Sequence, residues 1–222
     1  MRVRVDGLSR GKGVVVAFSG PDGSGKTTQS RLLMLLLKHR GFRVVKVWIR
    51  ANHTLAYFLT KLTSSLSPGS VVRVDGGSVV THRLATGPLG SLIWPWVEFL
   101  GVLPHLVFKV FIPSLLGCVV VADRYLPDTV VSVCLAVGFK NPFRHLALRV
   151  MLGLARGAKL VFLDASYREI AGRRERPDPR WFVRAQKRLY GLLAKAFSAP
   201  IVDTTGKSKW ATFREVVRVL GL

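Results

Sequence analysis

The chain has 222 residues, 49% of them hydrophobic, and a formal net charge of +22 from 34 Lys and Arg against 12 Asp and Glu. That apolar content suits one α/β domain with a substantial core and excludes a disordered chain. The two cysteines, Cys118 and Cys134, have neither metal-ligand nor disulfide spacing, which excludes a zinc module and a disulfide-framed secreted domain and fits buried thiols in a reducing compartment, the cytoplasm.

Residues 1–13 (MRVRVDGLSRGKG) lack the apolar core of a signal peptide. Residues 13–18 (GVVVAF) predict a buried strand, and from Gly25 apolar residues recur at helical spacing until Gly41 stops them. Between them lies SGPDGSGKTTQ. A loop in that place has free backbone N–H groups and the positive end of a helix dipole aimed at an anion. Gly20, Gly23 and Gly25 can take backbone angles closed to other residues, so the loop can wrap phosphate oxygens. Gly20, four residues, then Gly25-Lys26-Thr27 is the P-loop pattern: Lys26 reaches the β and γ phosphates and the Thr27 hydroxyl ligates Mg²⁺. A flexible Gly-Ser turn is the alternative; the strand before and the helix after favour a nucleotide.

Residues 42–49 (FRVVKVWI) predict a second strand with Arg50 at its end. Residues 52–66 predict a helix capped by Asn52, and residues 71–82 a hairpin turning at Asp75-Gly76-Gly77-Ser78. Residues 92–122 are the most apolar. A membrane span needs about 20 uninterrupted apolar residues, and Glu98, His105, Lys109 and three prolines are expected to break every such run. The region reads as an apolar helix, a turn at Gly117 and a buried strand over 118–122, with the helix face suited to a subunit interface. Helices follow around 128–137 and 142–155, a strand over 160–163 ends in Asp164, and a short helix leads into GRRERPDPRW. A helix over 182–197, a brief strand at 201–202 and a helix over 209–220 close the chain.

Strands alternating with helices imply a parallel sheet covered on both faces, with the ligand beyond the strand carboxyl ends. The P-loop, Arg50, Asp123, Arg124 and the segment after Asp164 all fall there. Asp123 can hold a magnesium hydration shell opposite Thr27. Arg124 can grip a second phosphate in a bidentate manner; the alternative is a helix cap with a surface ion pair. Arg173, Arg174, Arg176 and Arg180 lie in a proline-flanked stretch and read as a lid that brings guanidinium groups to a transferring phosphoryl group, or as a solvated face. The net charge reads as a surface that concentrates anions. No zinc-finger spacing, aromatic RNA-binding pattern or long basic helix accompanies it.

Taken together, GPDGSGKTTQSRLL, VVVADRY, VFLDASYREIAGRRER and PIVDTTGKS resemble the thymidylate kinase family of nucleoside monophosphate kinases over nearly the whole length. The resemblance implies a P-loop three-layer sandwich with a five-stranded parallel sheet, a lid about residues 172–181, and a possible hairpin insertion at 71–82. It implies that Gly20, Pro21, Asp22, Gly23, Ser24, Gly25, Lys26, Thr27 and Thr28 bind ATP with Mg²⁺. Asp22 would contact the acceptor's 3′-hydroxyl and Arg124 its monophosphate, with Arg50, Asp123 and Tyr125 completing the substrate set. Ser24 stands where some members carry a P-loop arginine, so the lid supplies the charge from Arg173, Arg174, Arg176 or Arg180, among which spacing does not choose. The family pairs as a dimer through the helix that corresponds to residues 92–116.

Three positions depart from the pattern. Arg50-Ala51-Asn52-His53 replaces a proline-containing turn, residues 92–113 contain no arginine to read a thymine, and Ser132 and Val133 replace a Tyr-Gln pair. The implied reaction is ATP-dependent phosphoryl transfer to a nucleoside monophosphate, with dTMP the best single acceptor and another nucleotide, nucleoside or phosphorylated metabolite the alternative. A third reading, from the net charge, is a basic P-loop protein that binds nucleic acid or an anionic membrane and uses ATP as a switch. The acceptor phosphate is ionised at neutral pH, so alignment and charge neutralisation suffice without a general base.

Overall fold

The computed structural model describes residues 13–49, 71–73, 80–82 and 87–222. Its strands are Val14–Ser19 (β1), Val44–Val47 (β2), Val71–Arg73 (β3), Val80–His82 (β4), Val119–Asp123 (β5), Ala158–Asp164 (β6) and Ile201–Asp203 (β7). Five of them form one sheet in the order β2-β5-β1-β6-β7, with every neighbouring pair parallel. The central strands β1 and β5 are buried almost throughout. Their runs of valine and alanine suit a strand covered on both faces. Register pairs Phe18 with Asp123 and Ser19 with Phe162, so three strand ends meet where the glycine-rich loop begins.

The helices are Lys26–His39 (α1), Pro88–Leu106 (α2), Ile112–Leu115 (α3), Leu126–Val137 (α4), Leu146–Ala155 (α5), Tyr167–Gly172 (α6), Arg180–Ala196 (α7) and Lys209–Val219 (α8). Alternate side chains of β1 and β5 point to opposite faces and enter two separate cores. Val15, Ala17, Val120 and Ala122 pack with Val102 and Leu106 of α2, Val130 of α4, Met151 of α5 and Leu193 of α7. Val16, Phe18, Val119 and Val121 pack with Leu33 and Leu37 of α1 and Val216 of α8. Each fully buried Val or Leu contributes roughly 1.5–3 kcal/mol, so both faces hold the sheet rigid beneath the loop. The architecture is the three-layer α/β sandwich expected of a P-loop protein.

The apolar region forms the helix that the sequence predicts, but its charges and prolines do not interrupt the apolar run as expected. Pro88–Leu115 is continuous and, among the described residues, is the one helix long and apolar enough to cross a membrane by length and composition. Pro95 and Pro104 lie inside α2, and a π turn, Val107–Phe111, joins α2 to α3. A proline removes a single N–H and crowds the turn before it, and the wider π ladder absorbs the displacement. Val102, Leu106 and Val110 place one side of this helix in the core, while Leu89, Ile93, Leu100, Phe108 and Leu115 on another side are exposed.

Of the expected 71–82 hairpin, the two strands pair antiparallel, Val71 opposite His82 and Arg73 opposite Val80, in their own two-stranded sheet, and the turn at 75–78 lies outside the described residues. The helix predicted at 142–155 begins later, at Leu146, because the His145 side chain accepts the Ala147 N–H and caps it there. The predicted helix over 52–66 and Arg50 lie outside the described residues.

Candidate functional site

The loop after β1 is built by its glycines. Gly20, Gly23 and Gly25 have φ of 143°, 85° and 94°, a region in which a side chain is strained. A Cβ at Gly20 would also lie 2.1 Å from the Leu163 carbonyl oxygen, so the loop can cross the end of β6 only without one. At Gly25, the N-cap of α1, nothing lies within 4 Å of that position, which leaves a cradle open in front of the first turn. Thr27 and Thr28 are exposed on that turn, while Asp22, Ser24 and Lys26 are buried.

Lys26 curls back inside the loop. Its Nζ donates to the carbonyl oxygens of Gly20 and Pro21, each at 2.6 Å, and stands 3.7 Å from Asp22 Oδ1. The same Asp22 oxygen pairs with Nη2 of Arg124, whose Nη1 lies 3.6 Å from Asp128 Oδ1. The chain Lys26–Asp22–Arg124–Asp128 therefore ties the loop to the segment after β5. Asp128 is buried at its end, accepting from the Tyr125 N–H at 3.2 Å and the Tyr190 hydroxyl at 3.0 Å. Arg124 has a φ of 79°. Its N–H donates to the Phe18 carbonyl at 3.1 Å, which locks a left-handed turn that few bulky residues adopt.

Asp123 is buried at the end of β5. Lys46 of β2 lies 3.3 Å from its Oδ2, and its Oδ1 has no hydrogen-bond partner. A buried carboxylate oxygen without a donor wants one, and a hydrated divalent cation would satisfy it. Ser19 Oγ and Ser24 Oγ are likewise buried without a partner. With the open cradle at Gly25 and the exposed Thr27 hydroxyl, this donor set fits Mg²⁺ and the phosphates that accompany it.

The four arginines of the 173–180 stretch separate. Arg173 reaches the loop: its Nη1 donates to the Gly23 carbonyl and to Thr204 Oγ1, both at 3.1 Å, and its Nη2 to the Thr204 carbonyl at 3.3 Å. Glu169 steadies it at 2.8 Å. Arg174 instead pairs at 2.5 Å with buried Asp178 inside the 173–179 segment. Arg180 stands over the Tyr167 ring at 6.0 Å, and Arg176 is exposed.

Tyr125 is buried among the core side chains, where burial pushes its phenol up to about 12. Val133 is buried in the same core and Ser132 is half-buried.

Two residues escaped the sequence reading. Thr204, after β7, links Arg173 to the Ser24 carbonyl, to which its hydroxyl donates at 3.4 Å; its signal was the DTTGKS stretch, used there only as a family resemblance. Lys46 looks like any outward-facing strand lysine and leaves no sequence mark. Asp203 beside Thr204 is held below the usual carboxylate range by the Thr205 hydroxyl and N–H, at 2.6 and 2.9 Å, and more weakly by nearby lysines.

No protein-family model matches the sequence, and no curated protein does. Solved structures do. The thymidylate kinase of Ehrlichia chaffeensis has a TM-score of 0.55 at 22% identity, covering 94% of this chain and 99% of its own. The thymidylate kinase of Candida albicans, whose structure is described as revealing the origin of broad substrate specificity, also scores 0.55, at 15% identity, over 94% of this chain and 91% of its own. At these identities the likeness establishes the fold.

Proposed function

We propose that the chain is an ATP-dependent kinase of nucleoside monophosphates, transferring the γ-phosphoryl group to an acceptor phosphate, with dTMP the first acceptor to test. The observation that carries it is the Lys26–Asp22–Arg124 chain. A loop shaped for a triphosphate and a guanidinium suited to a second anion share one carboxylate, so donor and acceptor phosphates would meet across Asp22. The fold shared with the two thymidylate kinases supports the same reading.

The roles follow from the chemistry of each side chain. The loop amides and Lys26 would hold the triphosphate, drawing Nζ off the Gly20 and Pro21 carbonyls. Bound Mg²⁺, held through Thr27 and the Asp123 side, supplies neutralisation of the charge shared between donor oxygens. Arg124 would align the acceptor phosphate with donors not taken by Asp22 and Asp128. Arg173 would supply the lid charge, since it already bonds to Gly23. No general base is required, because the nucleophile is an ionised phosphate oxygen.

An acceptor other than dTMP is the second reading. It is favoured by Val133, which is buried in the core and cannot address a base. The exposed side of the 88–115 helix is proposed as the homodimer surface, and the cytoplasm as the location.

The test is labelled Mg-ATP with each nucleoside monophosphate in turn. The expected outcome is a diphosphate product with dTMP or another single acceptor. Lys26→Ala and Arg124→Ala should each lower turnover by on the order of 10³-fold or more while melting cooperatively. Near-normal turnover in both variants sinks the proposal.

A further inference from the structure

Away from the P-loop, α4 and α7 enclose a second cavity of about 430 Å³, a volume in the range of small-molecule sites. Its floor is apolar, from Cys134, Leu135, Phe139 and Leu189. Its rim carries Lys140, Arg184 and Arg188, all exposed, and Trp181, which is 62% exposed. An exposed tryptophan on the first turn of a helix is costly to leave in water, and stacking would cover it.

The charge around this cavity is one-sided. From residue 129 to residue 163 the sequence contains no Asp or Glu, and α7 contains none. Lys187, one turn from Arg184, is taken by Asp164 at 3.0 Å and faces the other way. The three rim cations thus have no carboxylate on either element that forms the cavity, other than Asp128, which is buried and held by Tyr190. Three cations above an apolar floor, beside an indole that meets Phe182 edge-on at 5.7 Å and is otherwise open, match a ligand with several negative charges at one end and a flat ring at the other.

We propose that this cavity binds a nucleoside di- or triphosphate, its base on Trp181 and the apolar floor, its phosphates on Arg184, Arg188 and Lys140. The site is separate from the P-loop and does not rest on the phosphoryl-transfer reading. A nucleotide seated there bridges the end of α4 to the first turns of α7, the helix into which the 173–179 segment runs.

Calorimetric titration of the full chain with Mg-ATP, in about 0.15 M KCl so that loose surface attraction is screened, reads the number of sites. Two are expected. Lys26→Ala should leave the second alone. Arg184→Glu with Arg188→Glu should weaken the second by roughly tenfold or more, because two charge-assisted contacts become repulsive, and leave phosphoryl transfer at low ATP unchanged. Trp181→Phe should remove the nucleotide-dependent part of the tryptophan emission. Inorganic triphosphate should compete at least tenfold less well than ATP, since it lacks a ring. A single site in the unaltered chain, a second site that survives the double charge reversal, or triphosphate competing as well as ATP each overturns the proposal. If Lys26→Ala removes nothing while the double reversal removes a site, the P-loop reading fails and this one stands.

Discussion

Arg124 concentrates the tension between stability and function in one residue. Its left-handed backbone, φ 79°, is one that glycine adopts without strain, so Arg124→Gly should relieve about 1 kcal/mol. The same change strips Asp22 and Asp128 of their shared cation. Removing one partner of a buried ion pair costs about 3–5 kcal/mol, discounted here because the arginine keeps 14% of its side-chain exposure. The ion-pair loss wins. Arg124→Gly should lower the thermal midpoint, and adding Asp22→Asn should recover part of the loss, because the stranded charge is then gone. A variant as stable as the parent contradicts this balance. His105 gives a pH prediction of known sign. Burial first, and the charge of Lys109 second, hold it below its ordinary value of 6.5. The unfolded chain then takes up the proton more readily, so stability falls as pH drops below about 6.5 and levels off once the folded-state value is passed. Urea midpoints measured across that window should show the slope, and His105→Gln should flatten it. These two residues also mark the limit of the sequence. The place of Arg124 after an apolar strand was legible, and Asp128 stands four residues on, but its strain and its pairing with Asp22 come from chain reversals that no spacing encodes.

At the scale of elements, the sequence singled out the proline-flanked stretch 172–181 and left the choice among its arginines open, because Arg173, Arg174, Arg176 and Arg180 share one composition. Local chemistry separates them. Arg174 has Asp178 four residues on, the spacing of a helix-like ion pair, and it is spent there. Arg173 ends α6 beside Glu169 and so faces the loop and Thr204. Arg173→Ala should therefore cut turnover by on the order of 10²–10³-fold, as loss of a transition-state charge does, while Arg176→Ala stays within a few-fold. Steady-state kinetics with saturating acceptor decide it, and equal losses from both would return the choice to the whole cluster. The order of the strands was equally hidden: alternation of β and α announces a parallel sheet, but only packing places β5 and not β2 beside β1. The apolar helix was legible as a helix, but its prolines and charges read as breaking any membrane-length run. Prolines stop isolated helices, and here Val102, Leu106 and Val110 anchor the helix on the sheet, so tertiary burial outweighs the missing N–H groups.

For the molecule as a whole, a net charge of +22 should oppose any self-association, yet the proposed dimer surface sits where charge is sparse. Between Glu98 and Asp123 the sequence holds no carboxylate and a single lysine or arginine, Lys109, while Leu89, Ile93, Leu100, Phe108 and Leu115 stand exposed on the same helical run. Two such faces brought together remove apolar surface at roughly 25 cal/mol per Å², and a stable pair needs about 800 Å² per partner. The repulsion comes from the rest of the surface, at distances beyond the Debye length of about 8 Å at 0.15 M salt. Apolar attraction is insensitive to such screening and the repulsion is not. Sedimentation equilibrium should therefore show dimers that tighten as KCl rises from about 0.05 to 0.5 M. Phe108→Glu or Ile93→Glu, each placing a charge in the exposed stripe that pairing would bury, should leave monomers at every salt concentration. Association that weakens with added salt would mean that ionic contacts hold the copies together, and the apolar helix would lose its claim to the interface.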